Sequence, residues 1–457
     1  MLDDATDRAL TAAATAATAY LAGLDCAPVA ATASLAELRA RLDVGLADRG
    51  VDAARVVTDL VAATAGGLNG IAGGRLFAWV NGGALPAALA TDWLVSAWDQ
   101  NAGLTAVSPA ASVVEEIAGA WLKDILGLPA AASFALTTGC QMAHATGLAA
   151  ARHAVLARAG WDVEADGLAG APRIAVLAND QRHLSVDRAL RLLGLGTNAL
   201  VPVATGDDGR ITADTLDAAL AAVASRPVIV VLNAGDLNIG GCDDFAALIP
   251  RAHAAGALVH VDGAFGLWAR ASRTQQHLVA GVEAADSWAS DAHKWLNTPY
   301  DCGLAFVADA AAHRAAMTVS ASYMPVDSDA REAIDWTPEW SRRARGFTVY
   351  AALRELGRDG VAALVDRCCA HAAALAHGIA ALPGAELIGG PGMNQALISF
   401  GDATDAVVAR INAGGEAFFG ATTWRGRRAM RVCVINWRTT DADIARAVAA
   451  VKGALPG

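Results

Sequence analysis

The sequence predicts an α/β protein with a large, mostly parallel sheet, a helical segment before it and a small α+β domain after it. Short apolar strands are predicted at 173–178, 227–233, 257–262, 286–290 and 303–308. Helical stretches separate several of these strands, at 141–159, 184–194, 212–224 and 243–255. Strands buried on both faces and joined by helical crossovers are typical of a parallel sheet. The strand at 303–308 is free to run the other way, because the connection before it is short.

The pattern divides the chain into three regions. Residues 1–75 consist mainly of predicted helices and end near a glycine-rich break. Residues 76–350 contain the alternating strands and helices of the large domain. A long connecting helix is predicted at 340–360, and residues 351–457 then mix helices and strands, which indicates a small C-terminal α+β domain.

Composition excludes several classes of protein. Hydrophobic residues make up 54% and charged residues 18% of the chain, which suits a sizeable core. The formal net charge of −11 argues against nucleic acid or an anionic membrane as a partner. The sequence has no apolar run long enough to span a bilayer and no secretory signal. Its seven cysteines follow neither a disulfide framework nor a metal-binding pattern, so we expect a reduced, cytoplasmic protein and no metal site.

One lysine stands out because lysine is rare in this chain. Only Lys123, Lys294 and Lys452 occur, although lysine and arginine together number 35. An amine that can lose its proton and form an imine is something arginine does not supply. Asp262 ends an apolar strand and Lys294 follows the next predicted strand. We therefore expect both at the carboxyl edge of the sheet, where open α/β sheets bind ligands.

The segment TTGCQMAHATGLAAAR (137–152) is a candidate phosphate cradle. It is a glycine turn entering a helix, and free N–H groups at a helix start favour an anion. An ordinary helix start is the competing interpretation. A lysine, an acid and a phosphate cradle at one sheet edge suit pyridoxal phosphate, which bonds a lysine and pairs its ring nitrogen with a carboxylate.

These stretches together resemble the group II pyridoxal-phosphate-dependent decarboxylases, which include aromatic amino acid and glutamate decarboxylases, within the fold-type I superfamily. HVDGAFG (260–266) and DAHKWLNTPYDCG (291–303) carry the most specific similarity. FAWVNGG (77–83), SRRARGFTVYAALRELGRDG (341–360) and TTWRGRRAMRVCVINWRTT (422–440) extend it towards both ends. The resemblance implies a large, mostly parallel sheet of the seven-stranded type.

The resemblance also implies roles for individual residues. Lys294 would bond the cofactor, and Asp262 would pair with its ring nitrogen. Ala264 would pack against the ring, and His183 would stack over it near the substrate carboxylate. Tyr323 matches a tyrosine on the catalytic loop of the family and would return a proton to the α-carbon. Lys294, His183 and Tyr323 are thus the expected catalytic set.

Further cofactor contacts implied by the resemblance are Gly139, Cys140, Gln141, Asp236, Ser290, Asp291 and His293. Several of these depart from the family pattern. Asp291 stands where relatives commonly carry asparagine, and an acid beside a phosphate is unfavourable unless it faces away. Cys140 and Gln141 replace small or hydroxyl residues, and Asp236 replaces a threonine.

Substrate contacts are less specific. Trp79 and Phe77 either line the pocket or belong to the core, and Arg431 either binds a carboxylate or bridges the two domains. The aromatic residues near 77–98 favour a substrate with an aromatic or bulky apolar side chain.

We therefore expect an L-amino-acid α-decarboxylase that releases CO₂ and a primary amine. The alternatives are a carbon–carbon lyase of the aldolase kind or an aldehyde synthase on the same fold, and a cofactor-binding regulator without activity. The resemblance further implies a homodimer whose active site lies near the subunit interface.

Overall fold

The structure, a computed structural model, describes residues 3–319 and 330–455. Among the helices of these ranges, none is both long and apolar enough to cross a membrane. The chain begins with five helices, which are α1 (Asp4–Gly23), α2 (Leu35–Leu42), α3 (Ala53–Ala63), α4 (Pro86–Trp98) and α5 (Pro109–Ile125). The first three contain no buried residue, and α1 packs against α3. The buried guanidinium of Arg75 then ties this segment to the body, because it donates to the carbonyls of Leu24, Asp25, Ala27 and Glu416.

A seven-stranded sheet forms the centre of the large domain. Its strands are β1 (Ser133–Thr137), β2 (Ala175–Asn179), β3 (Leu200–Val203), β4 (Val228–Asn233), β5 (Leu258–Asp262), β6 (Ser287–Asp291) and β7 (Gly303–Val307). Their spatial order is β1-β7-β6-β5-β4-β2-β3. Strands β2 to β6 are parallel, and β7 runs antiparallel to both β1 and β6. The predicted mostly parallel sheet is confirmed, including the reversed direction that the short connection before β7 allows.

Helical crossovers cover both faces of this sheet, as the apolar strands require. They are α6 (Cys140–Arg158), α7 (Val163–Asp166), α8 (Leu184–Leu192), α9 (Ala213–Ala222), α10 (Phe245–Ala254), α11 (Ala292–Trp295) and α12 (Ala310–Met317). All five residues of β2, β5 and β6 are buried. Strand β5 lies between β4 and β6 and is parallel to both, so the residues at the carboxyl ends of these three strands share one edge.

A long helix, α13 (Gly346–Ala380), joins the two domains. It packs against α4 and α5 on one side and against the C-terminal elements on the other. Its only non-helical residue is Gly357, at φ 61° and ψ 179°. The prediction of helix over 340–345 is wrong. There Arg343 forms a backbone bridge with Asn101, and the Arg342 N–H donates to the Asn101 side chain. These backbone groups therefore bond to another segment and not within a helix.

The C-terminal region is a four-stranded antiparallel sheet with two helices, as expected of a small α+β domain. Its elements are β8 (Glu386–Gly392), β9 (Gln395–Ser399), α14 (Thr404–Gly414), β10 (Gly420–Trp424), β11 (Arg427–Cys433) and α15 (Asp441–Ala454). The strand order is β10-β11-β9-β8. The backbone of this region meets the N-terminal part at Phe77, whose N–H donates to Phe418 and whose carbonyl accepts from Cys433.

Candidate active site

A cavity of about 630 Å³ opens at the carboxyl edge of the large sheet. Its wall includes residues at or just beyond the ends of β1, β4, β5 and β6, together with α8 and the small sheet. The predicted residues that line it are Trp79, Gly139, Cys140, Gln141, His183, Asp236, Asp262, Ala264, Asp291, His293, Lys294 and Arg431. Residues distant in sequence are thus brought together where the strand pattern places a ligand.

Lys294 lies in the single turn of α11, directly after β6. Its Nζ is 2.9 Å from Oδ2 of Asp291, and its side chain is 18% exposed, so the amine reaches the cavity. Burial by itself lowers the pKa of Lys294, but the Asp291 carboxylate outweighs burial and raises it above the ordinary value. The amine is therefore held as an ammonium group as long as Asp291 is its partner.

Asp262 is the last residue of β5 and is buried at the cavity wall. Its Oδ1 accepts the Ala264 N–H at 3.2 Å and lies 3.5 Å from Nε2 of His144. Burial raises the pKa of this carboxyl, but His144 and then His183 outweigh burial and hold it well below its usual range. An ionised, buried carboxylate is the group needed to pair with a protonated pyridine nitrogen.

A row of buried side chains supports Asp262 from behind. Nδ1 of His144 lies 2.9 Å from Nε2 of His260, and Nδ1 of His260 lies 2.7 Å from Oγ of Ser287. Burial, followed by the charge of His144, lowers the pKa of His260 to about 3, so His260 is neutral. The row therefore runs from Ser287 through both rings to the Asp262 carboxylate.

Sequence analysis missed these two histidines. His260 and Asp262 alternate along one strand and therefore share a face, a signal that was available in the sequence. His144 follows Cys140 by one helical turn, and its Nε2 lies 3.4 Å from the Cys140 Sγ. Burial raises the pKa of the Cys140 thiol well above its ordinary value, so Cys140 packs beneath the site as a neutral thiol.

His183 caps the start of α8 at the mouth of the cavity, where it is exposed. Its Nδ1 accepts the Ser185 N–H at 3.2 Å and lies 2.7 Å from the Ser185 hydroxyl. Nδ1 is thus the acceptor nitrogen, and the neutral ring carries its proton on Nε2. Partial burial lowers the pKa of His183, against the opposing charge of Asp262, which favours this neutral form.

The segment predicted to be a phosphate cradle forms the N-terminus of α6. Gly139 precedes the helix with φ 134°, a backbone conformation that suits glycine. The Cys140 N–H, however, already donates to Oδ1 of Asp291 at 2.6 Å. His293 lies beside them, with Nε2 3.5 Å from the same oxygen and Nδ1 accepting the Cys302 N–H at 3.2 Å.

Two other predicted contacts have structural partners. The Asp236 carboxylate accepts N–H groups of Asn238, Ile239 and Gly241, so it organises the turn after β4 in place of a threonine. Burial raises the pKa of Asp236. Ser290 does not line the cavity, and its hydroxyl donates to the Gly263 carbonyl at 2.8 Å. Ser290 therefore fixes β6 against the segment that follows Asp262.

The substrate side is formed by both domains. Trp79 is 51% exposed and lines the cavity, whereas Phe77 is fully buried, stacks on Phe419 at 5.3 Å and lies outside the lining. The Arg431 Nη2 donates to Oε1 of Gln395 at 2.8 Å, which orients its guanidinium at the cavity wall. Tyr323 lies outside the residues that the structure describes.

The residues of the cavity therefore fit two of the three groups through which pyridoxal phosphate is held, the aldehyde carbon and the ring nitrogen. Lys294 would bond the aldehyde carbon, and Asp262, supported by His144, would hold the ring nitrogen. The phosphate end fits the N-terminus of α6 only if the Asp291 carboxylate releases the Cys140 N–H.

Comparison with known proteins agrees with this fit. Residues 36–401 match the family model described as the pyridoxal-dependent decarboxylase conserved domain. The L-2,4-diaminobutyrate decarboxylase of Rhizobium meliloti (strain 1021) is 30% identical over 380 residues, which cover 80% of this chain and 74% of the relative. The aromatic-L-amino-acid decarboxylase of Bacillus atrophaeus is 25% identical over 384 residues, covering 79% and 74%.

A solved structure shows the same fold. The crystal structure of Oryza sativa TDC with PLP and tryptamine superimposes with a TM-score of 0.92 at 23% identity, and the match covers 99% of this chain and 98% of that chain. The expected family, fold and cofactor are thereby confirmed. The chain belongs to the pyridoxal-dependent decarboxylase family and is an amino-acid decarboxylase, a carboxy-lyase that uses pyridoxal phosphate.

Proposed function

We propose that the substrate is an L-amino acid with an aromatic or bulky apolar side chain, and that the products are CO₂ and the corresponding primary amine. The observation that carries this proposal is the state of the acids in the cavity wall. These acids are Asp236, Asp262, Asp291 and Asp301. Asp236, Asp262 and Asp301 each have a partner in the described part of the chain, and Asp291 lies against the N-terminus of α6, the proposed phosphate end. A second amine on the substrate side chain therefore has no free carboxylate to pair with outside the phosphate end.

The four carboxylates are occupied in different ways. Asp236 accepts three backbone N–H groups, and Asp262 lies beside His144 and would hold the ring nitrogen of the cofactor. Asp291 pairs with Lys294, and Asp301 accepts from Nε and Nη2 of Arg345 at 3.1 and 2.9 Å. A diamino acid would bury its distal ammonium without a counter-charge, which is costly.

Apolar surface supports the same substrate class. Trp79, Val80, Leu184, Leu237 and Phe265 contribute to the cavity wall. A large side chain that removes this surface from water gains roughly 25 cal/mol for each Å² buried. The relatives named above act on diaminobutyrate and on aromatic amino acids, so the two substrate classes are the ones to compare.

Each of the proposed site residues has a separate role in the decarboxylation. When bound, pyridoxal phosphate supplies an electron sink for the bond between the α-carbon and the carboxylate. Lys294 would hold the cofactor covalently, and Asp262 would pair with its ring nitrogen. His183, whose proton lies on Nε2, would orient the substrate carboxylate, and Tyr323 would return a proton to the α-carbon.

Arg431 is the proposed contact for a substrate carboxylate. One Nη of its guanidinium is held by Gln395, so the group is presented to the cavity in a fixed orientation. Replacing Arg431 with methionine should then raise KM about tenfold with a smaller change in kcat. A fall in unfolding temperature with an unchanged KM would instead assign Arg431 to bridging the two domains.

Product analysis over a panel of amino acids tests the reaction. The chain supplied with pyridoxal phosphate is incubated with L-tryptophan, L-tyrosine, L-phenylalanine and L-2,4-diaminobutyrate, and CO₂ and amine are quantified. The proposal expects the highest kcat/KM for an aromatic substrate and one amine for each CO₂. A preference for diaminobutyrate would overturn the substrate class. Aldehyde and peroxide in place of amine would establish the aldehyde synthase alternative.

A homodimer completes the proposal. Large apolar side chains are exposed on the N-terminal helices, including Val56, Leu60, Trp93 and Trp98, each at 46% exposure or more. Exposed apolar side chains of this size are the kind that subunit contacts bury. Light scattering after gel filtration should give twice the chain mass of 46.5 kDa. Replacing Trp93 with aspartate should shift the protein towards the monomer.

A further inference from the structure

Asp291 makes contacts at the positive end of a helix that a cofactor phosphate would otherwise make. Its side chain is only 3% exposed. Oδ1 accepts the Cys140 N–H at 2.6 Å and lies 3.5 Å from Nε2 of His293, while Oδ2 is 2.9 Å from Nζ of Lys294. The carboxylate thus engages one backbone donor and one ammonium group within a single cluster.

The helix that begins here has the features of an anion site. Helix α6 runs for 19 residues from Cys140, and its N-cap, Gly139, has no side chain that could accept the first N–H groups. The side chain of Gln141 faces the same cavity, and within residues 3–319 and 330–455 its buried Nε2 has no hydrogen-bond partner. A further donor is therefore available for an anion that lies between Gly139 and Gln141.

We propose that Asp291 is an internal competitor of the cofactor phosphate. Its carboxylate has to give up the Cys140 N–H and draw back from the helix start before a phosphate can bind there. The proposal rests on the family's cofactor and concerns only how this chain receives it. It predicts that the negative charge at residue 291 weakens phosphate binding at α6.

Charge and hydrogen bonding both support this assignment. A phosphate and a carboxylate within a few ångströms repel each other strongly where water is excluded. The Cys140 N–H has one proton to donate, so the two oxygens compete directly for it.

The isosteric substitution Asp291→Asn separates charge from shape. Asparagine keeps an oxygen that can accept the Cys140 N–H but removes the negative charge. We expect Asp291→Asn to bind inorganic phosphate and 4′-deoxypyridoxine 5′-phosphate about tenfold tighter or more than the parent chain. Neither probe forms a covalent bond or requires an amino acid substrate.

The measurements are calorimetric titration of the cofactor-stripped full chain and the rise of its unfolding temperature with phosphate concentration. Asp301→Asn is the matched control, because Asp301 lines the same cavity but binds Arg345 instead of the helix start. Asp291→Ser is a second variant in case the first does not fold. Both variants at residue 291 should gain affinity for the phosphate probes, and Asp301→Asn should not.

Three results would overturn the proposal. If the variants at residue 291 bind the phosphate probes no more tightly than the parent chain does, the acid does not compete with phosphate. If Asp301→Asn gains as much affinity for the probes, the effect comes from the net charge of the cavity and not from the position of Asp291. Absence of phosphate binding in every variant would remove the anion site itself. Because no probe is a substrate, failure of the proposed substrate class would leave these outcomes unchanged.

Discussion

His144 and His260 share a hydrogen bond, with Nδ1 of the first 2.9 Å from Nε2 of the second. The bond joins the cradle helix to the strand that carries Asp262, beneath the proposed position of the cofactor ring. Because an ionised carboxylate can only accept, His144 presents an N–H, rather than a lone pair, to Asp262.

Removing this donor should weaken cofactor binding. In His144→Leu the Asp262 carboxylate stays buried but loses its neighbour, which costs about 1–3 kcal/mol and so roughly tenfold or more in affinity for pyridoxal phosphate. Fluorescence titration of the stripped chain measures the affinity. His153→Leu is the control on the same helix, where the side chain lies near Glu164 instead. Equal affinities in the two variants would contradict a role for His144.

The free energy of unfolding should decrease at acid pH because His260 is buried in its neutral form. Its pKa is about 3 in the folded chain against an ordinary value of 6.5, chiefly through burial. The unfolded chain therefore binds the extra proton, so this contribution is complete above pH 6.5 and is lost as the pH falls towards 3. Between pH 7 and 5 the loss is about 2 kcal/mol, measured by urea unfolding. His260→Gln should flatten the pH dependence, whereas substitution of the exposed His277 should leave it intact.

Lys294 should be the residue that holds the cofactor covalently. Lys294→Ala is expected to lose the visible absorbance band of the attached cofactor and to lose decarboxylation by about three orders of magnitude or more. Borohydride reduction followed by peptide mass spectrometry locates the label. Lys452→Ala, at an exposed lysine of α15, should keep both band and activity. A label on Lys123 would refute the assignment.

The buried pair of Arg342 and Glu115 should matter for folding. The Arg342 Nη1 is 2.7 Å from Oε2 of Glu115, and Nη2 donates to the Leu136 carbonyl at 2.7 Å. Arg342→Met removes the close partner of a buried acid, which keeps only Arg331 at 3.9 Å, and should lower the free energy of unfolding by about 3–5 kcal/mol. Arg273→Met, which breaks an exposed pair with Asp359, should cost less than about 1 kcal/mol. Similar losses in denaturant titrations would contradict this difference.

Thiol reactivity should distinguish one cysteine from the other six. Cys26 is exposed and the remaining six are buried. Burial raises the pKa of Cys242, Cys302 and Cys433 to about 12, so at pH 8 these groups are protonated and unreactive. Ellman's reagent should titrate one thiol in the folded chain and seven after unfolding. Rapid labelling of Cys140 would show that the cavity floor is open to solvent.

The sequence predicted the parts of the fold that have local signals. The strands that became β2, β4, β5 and β6 are apolar runs bounded by helices, and their order placed Asp262 and Lys294 at one edge. Strand β1 was not assigned, because its partner β7 lies 170 residues further along the chain and no local pattern reveals that pairing. Strand β3 is an edge strand that contains Pro202, which weakens a strand prediction.

The hydrogen-bond partners within the site were harder to predict than the identity of the site residues. The departure at Asp291 was visible from the sequence, but its bond to the Cys140 N–H spans 151 residues. The same holds for His144 and His260, which are 116 residues apart. Neighbouring residue types suggest chemistry, whereas hydrogen-bond partners are set by how the strands and helices pack.

Helix α13 connects the two domains, because it packs against elements of both. One half packs on α4 and α5 and the other on α15 and β9, with Gly357 between them in a conformation that no other residue of the helix shares. Torsion between the halves therefore concentrates at this glycine. Because Arg431 belongs to the small sheet and Lys294 follows a strand of the large one, a rotation about this glycine would change the distance between these two residues.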